Sequence, residues 1–125
     1  MSCWLSDMIS RLRVGLLNRH KQVRVVFTVK NYRFLELLSI LGLIEGFFIL
    51  NSVELIVQLK YSGNKSLIQR IYVCSTPGRR KYLQVKELNT LYPNELLILS
   101  TSQGLLTRDE ALIKNIGGEL LCRIV

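Results

Sequence analysis

Trp4, Leu5, Met8, Ile9, Leu12 and Leu16 recur at helical spacing, which predicts an amphipathic helix over residues 4–18. Asp7 and Arg11 stand four apart and can pair on its surface, while Arg11 and Arg13 flank the apolar stripe on opposite sides. The period then changes. Val23 to Val29 alternates and is rich in β-branched residues, so it reads as a strand. Asn31 is placed to cap a second helix, whose apolar face is Phe34, Leu37, Leu38 and Leu41 and which ends near Gly42 or Gly46. Phe47 to Leu50 and Val53 to Tyr61 read as strands around a tight turn at Asn51-Ser52. Ser62-Gly63-Asn64 is another turn signal, and Leu67 to Val73 reads as a further strand.

The later pattern differs. Ser75-Thr76-Pro77-Gly78 is a turn, since proline fixes its own φ and glycine supplies a positive one. Arg79-Arg80-Lys81-Tyr82 follows, then a short segment to about Leu91. Leu96 to Ser100 is an apolar, buried strand that delivers a Ser100-Thr101-Ser102-Gln103-Gly104 loop at its end. Thr107-Arg108-Asp109-Glu110 has capping-box spacing, so a helix runs from there to about Asn115 and stops at Gly117. Glu119 to Val125 closes the chain as a strand. The pattern predicts an α+β protein of two small domains, with the boundary in the 62–76 region. Residues 1–68 form an α-β-α-β-β unit and residues 69–125 a mostly β unit with a short helix.

Charge narrows the function. Seventeen Lys and Arg against nine Asp and Glu give +8 and a pI near 9.8, which points to a polyanionic partner. Residues 1–33 hold seven of the basic residues against one acid, and residues 64–89 hold six against one. Two blocks carry the excess, which is a footprint more than a solubilising coat. His20 is the only histidine, and Cys3, Cys74 and Cys122 lack metal-ligand spacing, so no catalytic residue, metal or cofactor is expected. The three scattered cysteines suit reduced thiols. No secretory signal is evident at Met1-Ser2-Cys3-Trp4. The apolar run Phe34–Leu50 is interrupted by Glu36, Gly42, Glu45 and Gly46, too short and charged to span a bilayer. An alternative to a polyanion binder is a peripheral membrane protein, with Trp4 and Leu5 of the basic first helix lying in the interface.

Five motifs stand in an order that resembles one family. They are Ser6-Asp7-Met8-Ile9-Ser10-Arg11-Leu12-Arg13, Ile44-Glu45-Gly46-Phe47, Ser75-Thr76-Pro77-Gly78 with basic residues after it, Ser100-Thr101-Ser102-Gln103-Gly104, and Gly117-Gly118-Glu119 with Cys122. Together they resemble small-subunit ribosomal protein eight of the bacterial type, over nearly the whole chain. Ile44 to Phe47 is similar to that family's turn after the second helix. Two positions depart from it: Gln103 stands where the family usually has lysine, and Val14 where it has asparagine.

The resemblance implies a structural, non-enzymatic component of the small ribosomal subunit. It implies binding to the central domain of small-subunit rRNA early in assembly, at a distorted helical region. It also implies neighbouring small-subunit proteins as partners, with no membrane and no small-molecule substrate. Ser100, Thr101, Ser102, Gln103 and Gly104 would meet bases and sugars, with Glu119 fixing the loop or accepting from a base amino group. Pro77, Gly78, Arg79, Arg80 and Lys81 would form one phosphate contact, and Arg11, Arg13, Lys30, Asn31, Tyr32 and Arg33 another. Tyr82 has the ring to stack on a base. Ala111 is the only alanine, a skew that fits an A+T-rich organelle genome. A mitochondrial ribosome is therefore the expected location, with plastid or bacterial cytoplasm as alternatives.

Overall fold

A computed structural model describes residues 3–63, 65–76 and 78–125. The fold is α+β, and the chain divides into two compact units, one of Trp4–Gln69 and one built on Arg70–Val125.

The N-terminal unit has the order helix, strand, helix, strand, strand, followed by a small ribbon. Helix α1 (Cys3–Leu17) buries Leu5, Met8, Ile9 and Leu12 almost completely. That corrects the peripheral-membrane alternative. Trp4 is half-buried, but Leu5 and the stripe that follows it are already core, and exposing them to a lipid interface would cost roughly 1.5–3 kcal/mol per side chain. Among the described residues, no helix is long and apolar enough to cross a membrane.

Strand β1 (Gln22–Val26) ends before Val29 because Thr28 turns into a helix cap. The Thr28 hydroxyl accepts from the Asn31 amide at 3.1 Å, and α2 (Val29–Ile40) starts immediately after it. Asn31 is therefore not the cap. It lies inside the first turn, buried, with Nδ2 donating to the Val26 carbonyl at 2.8 Å. The apolar period begins only at Phe34, so it gave no sign of this first turn. Gly42 takes φ +76° just after the helix.

Strands β2 (Ile44–Ile49) and β3 (Glu54–Leu59) complete an antiparallel sheet of order β1-β3-β2. Ile44 already pairs with Leu59 and Gly46 with Gln58, with a bulge between. The Ile44–Phe47 motif is thus strand, and the turn it was expected to make falls at residues 41–43. Asn51 does make the next turn, its Oδ1 accepting from the Val53 amide at 2.9 Å. β4 (Tyr61–Ser62) and β5 (Lys65–Ser66) form the ribbon, with Gly63 at φ +63° between them. Asn64 of the expected turn lies outside the described residues.

In the C-terminal unit β6 covers only Ile71–Val73, shorter than the Leu67–Val73 strand expected. Just before it, Arg70 and Val125 exchange both backbone bonds, at 3.3 and 2.9 Å. β7 (Tyr82–Leu83), α3 (Val85–Leu88), β8 (Leu96–Thr101), β9 (Gly104–Thr107), α4 (Arg108–Lys114) and β10 (Gly118–Ile124) follow. β10 is the spine of this sheet. It pairs with β8 along one edge and with β6 and β7 along the other, all antiparallel. Leu83, Leu88, Leu97, Leu99, Leu106, Ala111 and Leu120 make its buried core.

The capping box before α4 is present, Glu110 Oε1 accepting from the Thr107 amide at 3.1 Å. The helix stop is different from expectation: Asn115 takes the left-handed conformation at φ +58°, not Gly117. The glycine pair serves close approach instead. A methyl group on Gly117 would collide with the Leu83 carbonyl, and one on Gly118 would lie 2.5 Å from the Ser100 carbonyl.

Candidate nucleic-acid interface

The Ser100–Gly104 segment is not an open loop. Ser100 and Thr101 finish β8, Gly104 opens β9, and Thr101 pairs with Gly104. Only Ser102 and Gln103 form the turn, so the strand-then-loop expectation becomes a two-residue hairpin. β9 gives little signal in the sequence, since its four residues, with Leu105 half-buried and Leu106 buried, are too few to set a period. Gly104 sits at φ +100°, a conformation that disfavours any residue with a side chain.

Thr101 braces the hairpin. Its hydroxyl donates to the Gly104 carbonyl at 2.8 Å and accepts from the Gln103 amide at 3.1 Å. That leaves it one lone pair, so of the three hydroxyls Thr101 is the least available to a ligand. Ser100 and Ser102 are exposed, and their hydroxyls make no hydrogen bond among the described residues. Gln103 is exposed, with Oε1 accepting from Lys114 Nζ at 3.0 Å.

Glu119 lies at the foot of this hairpin. It pairs with Ser100 of β8 on one side and Tyr82 of β7 on the other. One carboxylate oxygen is buried and accepts no hydrogen bond among the described residues. Among the described residues the carboxylate holds no backbone amide of the hairpin, and an ionised carboxylate without a partner is an acceptor for an incoming donor. Tyr82 is well exposed beside it, as a stacking ring would need to be.

Thr76 and Arg79 exchange both backbone bonds at 3.0 Å, closing the turn that carries Gly78 at its tip. Pro77 lies outside the described residues. Arg79 and Arg80 are exposed and enter no ion pair among the described residues. Lys81 departs from the expected role. Its ammonium donates to the Tyr92 hydroxyl at 2.9 Å and sits 5.1 Å from that ring's centre. The hydrogen bond from Lys81 is the main cause holding the Tyr92 phenol below its ordinary value, with one from Arg123 second. The turn is anchored by Ser75, fully buried, whose hydroxyl donates to the Leu120 carbonyl at 2.6 Å and accepts from the Lys81 amide at 3.0 Å.

The N-terminal group does not form a single cluster. Arg11 pairs with Asp7 at 3.4 Å and lines a groove of about 430 Å³ with Ser10, Val14, Gly15, His20 and Arg24 among its walls. Val14, the apolar departure, is an exposed wall of that groove. Arg13 is exposed on the same helix. Tyr32 and Arg33 line a different groove of about 370 Å³, where Phe27, Val29 and Ile49 add apolar walls. Tyr32 packs edge-on against Phe47 at 5.0 Å, so its ring is partly committed. Lys30 is exposed and lies 5.9 Å from the Trp4 ring centre. Asn31 is buried and braces the helix start, which removes it from the surface set.

Two arginines of structural weight gave no sequence signal. Arg108 donates to the carbonyls of Leu88, Leu91, Tyr92 and Glu95 at 2.6–3.2 Å, gathering the α3–β8 connection around one guanidinium. Arg123 is sandwiched between the Tyr72 and Tyr92 rings at 4.5 and 4.2 Å and pairs with Glu95 at 3.1 Å. Backbone carbonyls and sheet register position both, and neither can be read from a single chain of letters.

Exposed arginines at a tight turn, one groove walled by Arg11 and Arg24, and a braced hairpin presenting free hydroxyls make a basic surface of the kind that suits a polyanion. The family model described as Ribosomal protein S8 matches residues 4–125. Among similar proteins, small ribosomal subunit protein uS8m of Acanthamoeba castellanii is 44% identical over 123 residues, covering 96% of this chain and 97% of its own. Small ribosomal subunit protein uS8 of Bartonella bacilliformis is 36% identical over 129 residues, covering 99% and 98%. That of Legionella pneumophila (strain Lens) is 34% identical over 126 residues, covering 96% and 95%. The chain belongs to the ribosomal protein S8 family, a family of ribosomal proteins and not of enzymes.

Proposed function

We propose that this chain is a structural constituent of the small subunit of a mitochondrial ribosome, where it binds the central domain of the small-subunit rRNA and supports assembly. The observation that carries this is the family match across residues 4–125, with a relative named uS8m that is 44% identical over 96% of the chain. Geometry supports it in detail. Hydroxyls at Ser100 and Ser102 both donate and accept, the turn at Ser102-Gln103 lets RNA approach closely, and the Arg79 and Arg80 side chains offer charge that enters no ion pair among the described residues. Such a rigid, narrow reader suits a distorted helix with accessible base edges, since regular A-form RNA hides them in a deep groove. The division into residues 1–68 and 69–125, each contacting RNA, belongs to the same proposal.

The test is co-sedimentation of the tagged chain with mitochondrial small subunits, with crosslinks mapped to rRNA nucleotides. Crosslinks from the 100–104 hairpin should fall in the central domain. Co-sedimentation with crosslinks confined to another rRNA domain would overturn the assignment of the site, and recovery only in fractions free of ribosomes would overturn the function.

A further inference from the structure

The hairpin tip carries a positive charge that its own residues lack. Gln103 is neutral, yet Lys114 from the last turn of α4 places its ammonium 3.0 Å from Gln103 Oε1. An ammonium only donates, so it selects the amide oxygen and leaves the Gln103 NH2 turned away with two free donors. The Gln103 backbone is itself held, its amide donating to Thr101 Oγ1 at 3.1 Å. Glu110, four residues before Lys114 on the same helix, is the carboxylate best placed to neutralise it. It is turned back instead, its Oε1 within 3.1 Å of the Thr107 amide and 3.2 Å of the Thr107 hydroxyl. Lys114 forms no ion pair among the described residues. An uncompensated cation and a carboxamide with two free donors thus stand side by side on an exposed turn.

We propose that Lys114 is a phosphate-binding residue of the hairpin, positioned by Gln103, so that the pair grips one RNA backbone phosphate with an ammonium and a carboxamide together. This rests on the reading that the chain binds rRNA. A cation on helix α4 and a neutral reader on the turn divide between two elements what one lysine at position 103 would do. The point charge supplies attraction, and the amide supplies direction.

The experiment is equilibrium binding of the full chain to a transcript of small-subunit rRNA, titrated from low to high salt. Lys114→Gln should fold like the parent by circular dichroism, because the side chain is exposed. It should weaken binding roughly three- to tenfold and lower the log–log salt slope by about one unit. Lys114→Arg should keep the slope. Gln103→Ala should keep most of the slope but lose affinity, and Gln103→Lys combined with Lys114→Gln should restore the slope. If Lys114→Gln leaves affinity and slope unchanged while Arg79→Ala lowers them, Lys114 has no such role and the RNA-binding function stands. If the parent chain binds this transcript no better than an unrelated RNA of equal length, the function itself fails and this inference with it.

Discussion

Replacing Gly118 by alanine tests how the hairpin is mounted. The added methyl would lie 2.5 Å from the Ser100 carbonyl oxygen and 2.8 Å from Thr101 Cγ2, against about 3.4 Å for an ordinary contact. The shortfall at the carbonyl is about 0.9 Å, and the obstacle is backbone, which cannot swing aside as a lysine tip would. Gly118 does not have a positive φ, so the whole penalty is steric. Relief requires parting β10 from β8 just where Glu119 pairs with Ser100. Overpacking of this kind costs roughly 1–3 kcal/mol. In a unit of this size each kcal/mol lowers the melting temperature by about 4–8 °C. The assay is thermal melting of the full chain beside its binding to small-subunit rRNA. Gly118→Ala should melt earlier and bind more weakly, because the hydroxyls of Ser100 and Ser102 move with the strand. Gly104→Ala is the control: nothing lies within 4 Å of its new methyl, so only the strain of φ +100° remains. A Gly118→Ala protein with parental melting and parental affinity would refute the claim that close approach of β10 sets the hairpin.

Arg108→Met should destabilise the C-terminal unit by roughly 2–4 kcal/mol, read by urea unfolding, because four backbone carbonyls lose a charged donor at once. Arg108→Lys should recover less than half, since a single ammonium cannot span that arc. Burial pushes the Cys122 thiol well above its ordinary value of 9.0. The folded state therefore holds a proton that the unfolded state releases above pH 9, so stability is full below pH 9 and falls as pH rises past it. Cys122→Ala should flatten that alkaline decline by up to about 1.4 kcal/mol per pH unit, and an unchanged slope would contradict it. Cys74, also raised by burial, should show the same effect more weakly because it is only half-buried. Arg79→Ala should reduce the salt slope of rRNA binding by about one unit, whereas Lys81→Met should cost stability more than slope, since its ammonium is bonded to Tyr92.

The α+β order was legible because its long apolar periods are reported faithfully by burial. The α1 stripe Leu5, Met8, Ile9, Leu12 and the β8 run Leu97, Ile98, Leu99 are both core. What failed were the ends of elements. Thr28 rather than Asn31 caps α2, and Asn115 rather than Gly117 stops α4. Both misplacements have one cause. Capping is decided by a single hydrogen bond or one φ angle worth about 1 kcal/mol, and several nearby residues can supply it. Glycine at 117 looked like a stop because its other use, letting strands approach, depends on a partner far along the chain. The candidate site is written in the sequence only as residue types: hydroxyls at 100–102, basic residues at 79–81, and an acid at 119. Its wiring is not. That Lys81 is tied to Tyr92 and Lys114 to Gln103 follows from sheet register and helix phase, which place distant positions together.

That wiring changes what a net charge of +8 means for binding. A cation contributes counterion release only if it can exchange solvent for phosphate without first giving up an internal partner. Arg108 and Arg123 are locked by carbonyls, rings and a carboxylate, and Lys81 by a phenol, so they shape the C-terminal unit and attract RNA only at a distance. Arg79 and Arg80 enter no ion pair among the described residues and stand at the turn, while Lys114 keeps a single exposed bond to the neutral Gln103 carboxamide, which under the proposal above binds the phosphate with it. The same unit therefore assigns its basic residues to two jobs. The tied ones make the surface rigid, and the free ones make it adhesive. A rigid reader needs both, because a phosphate contact made from a floppy turn would lose in ordering much of what it gains in attraction.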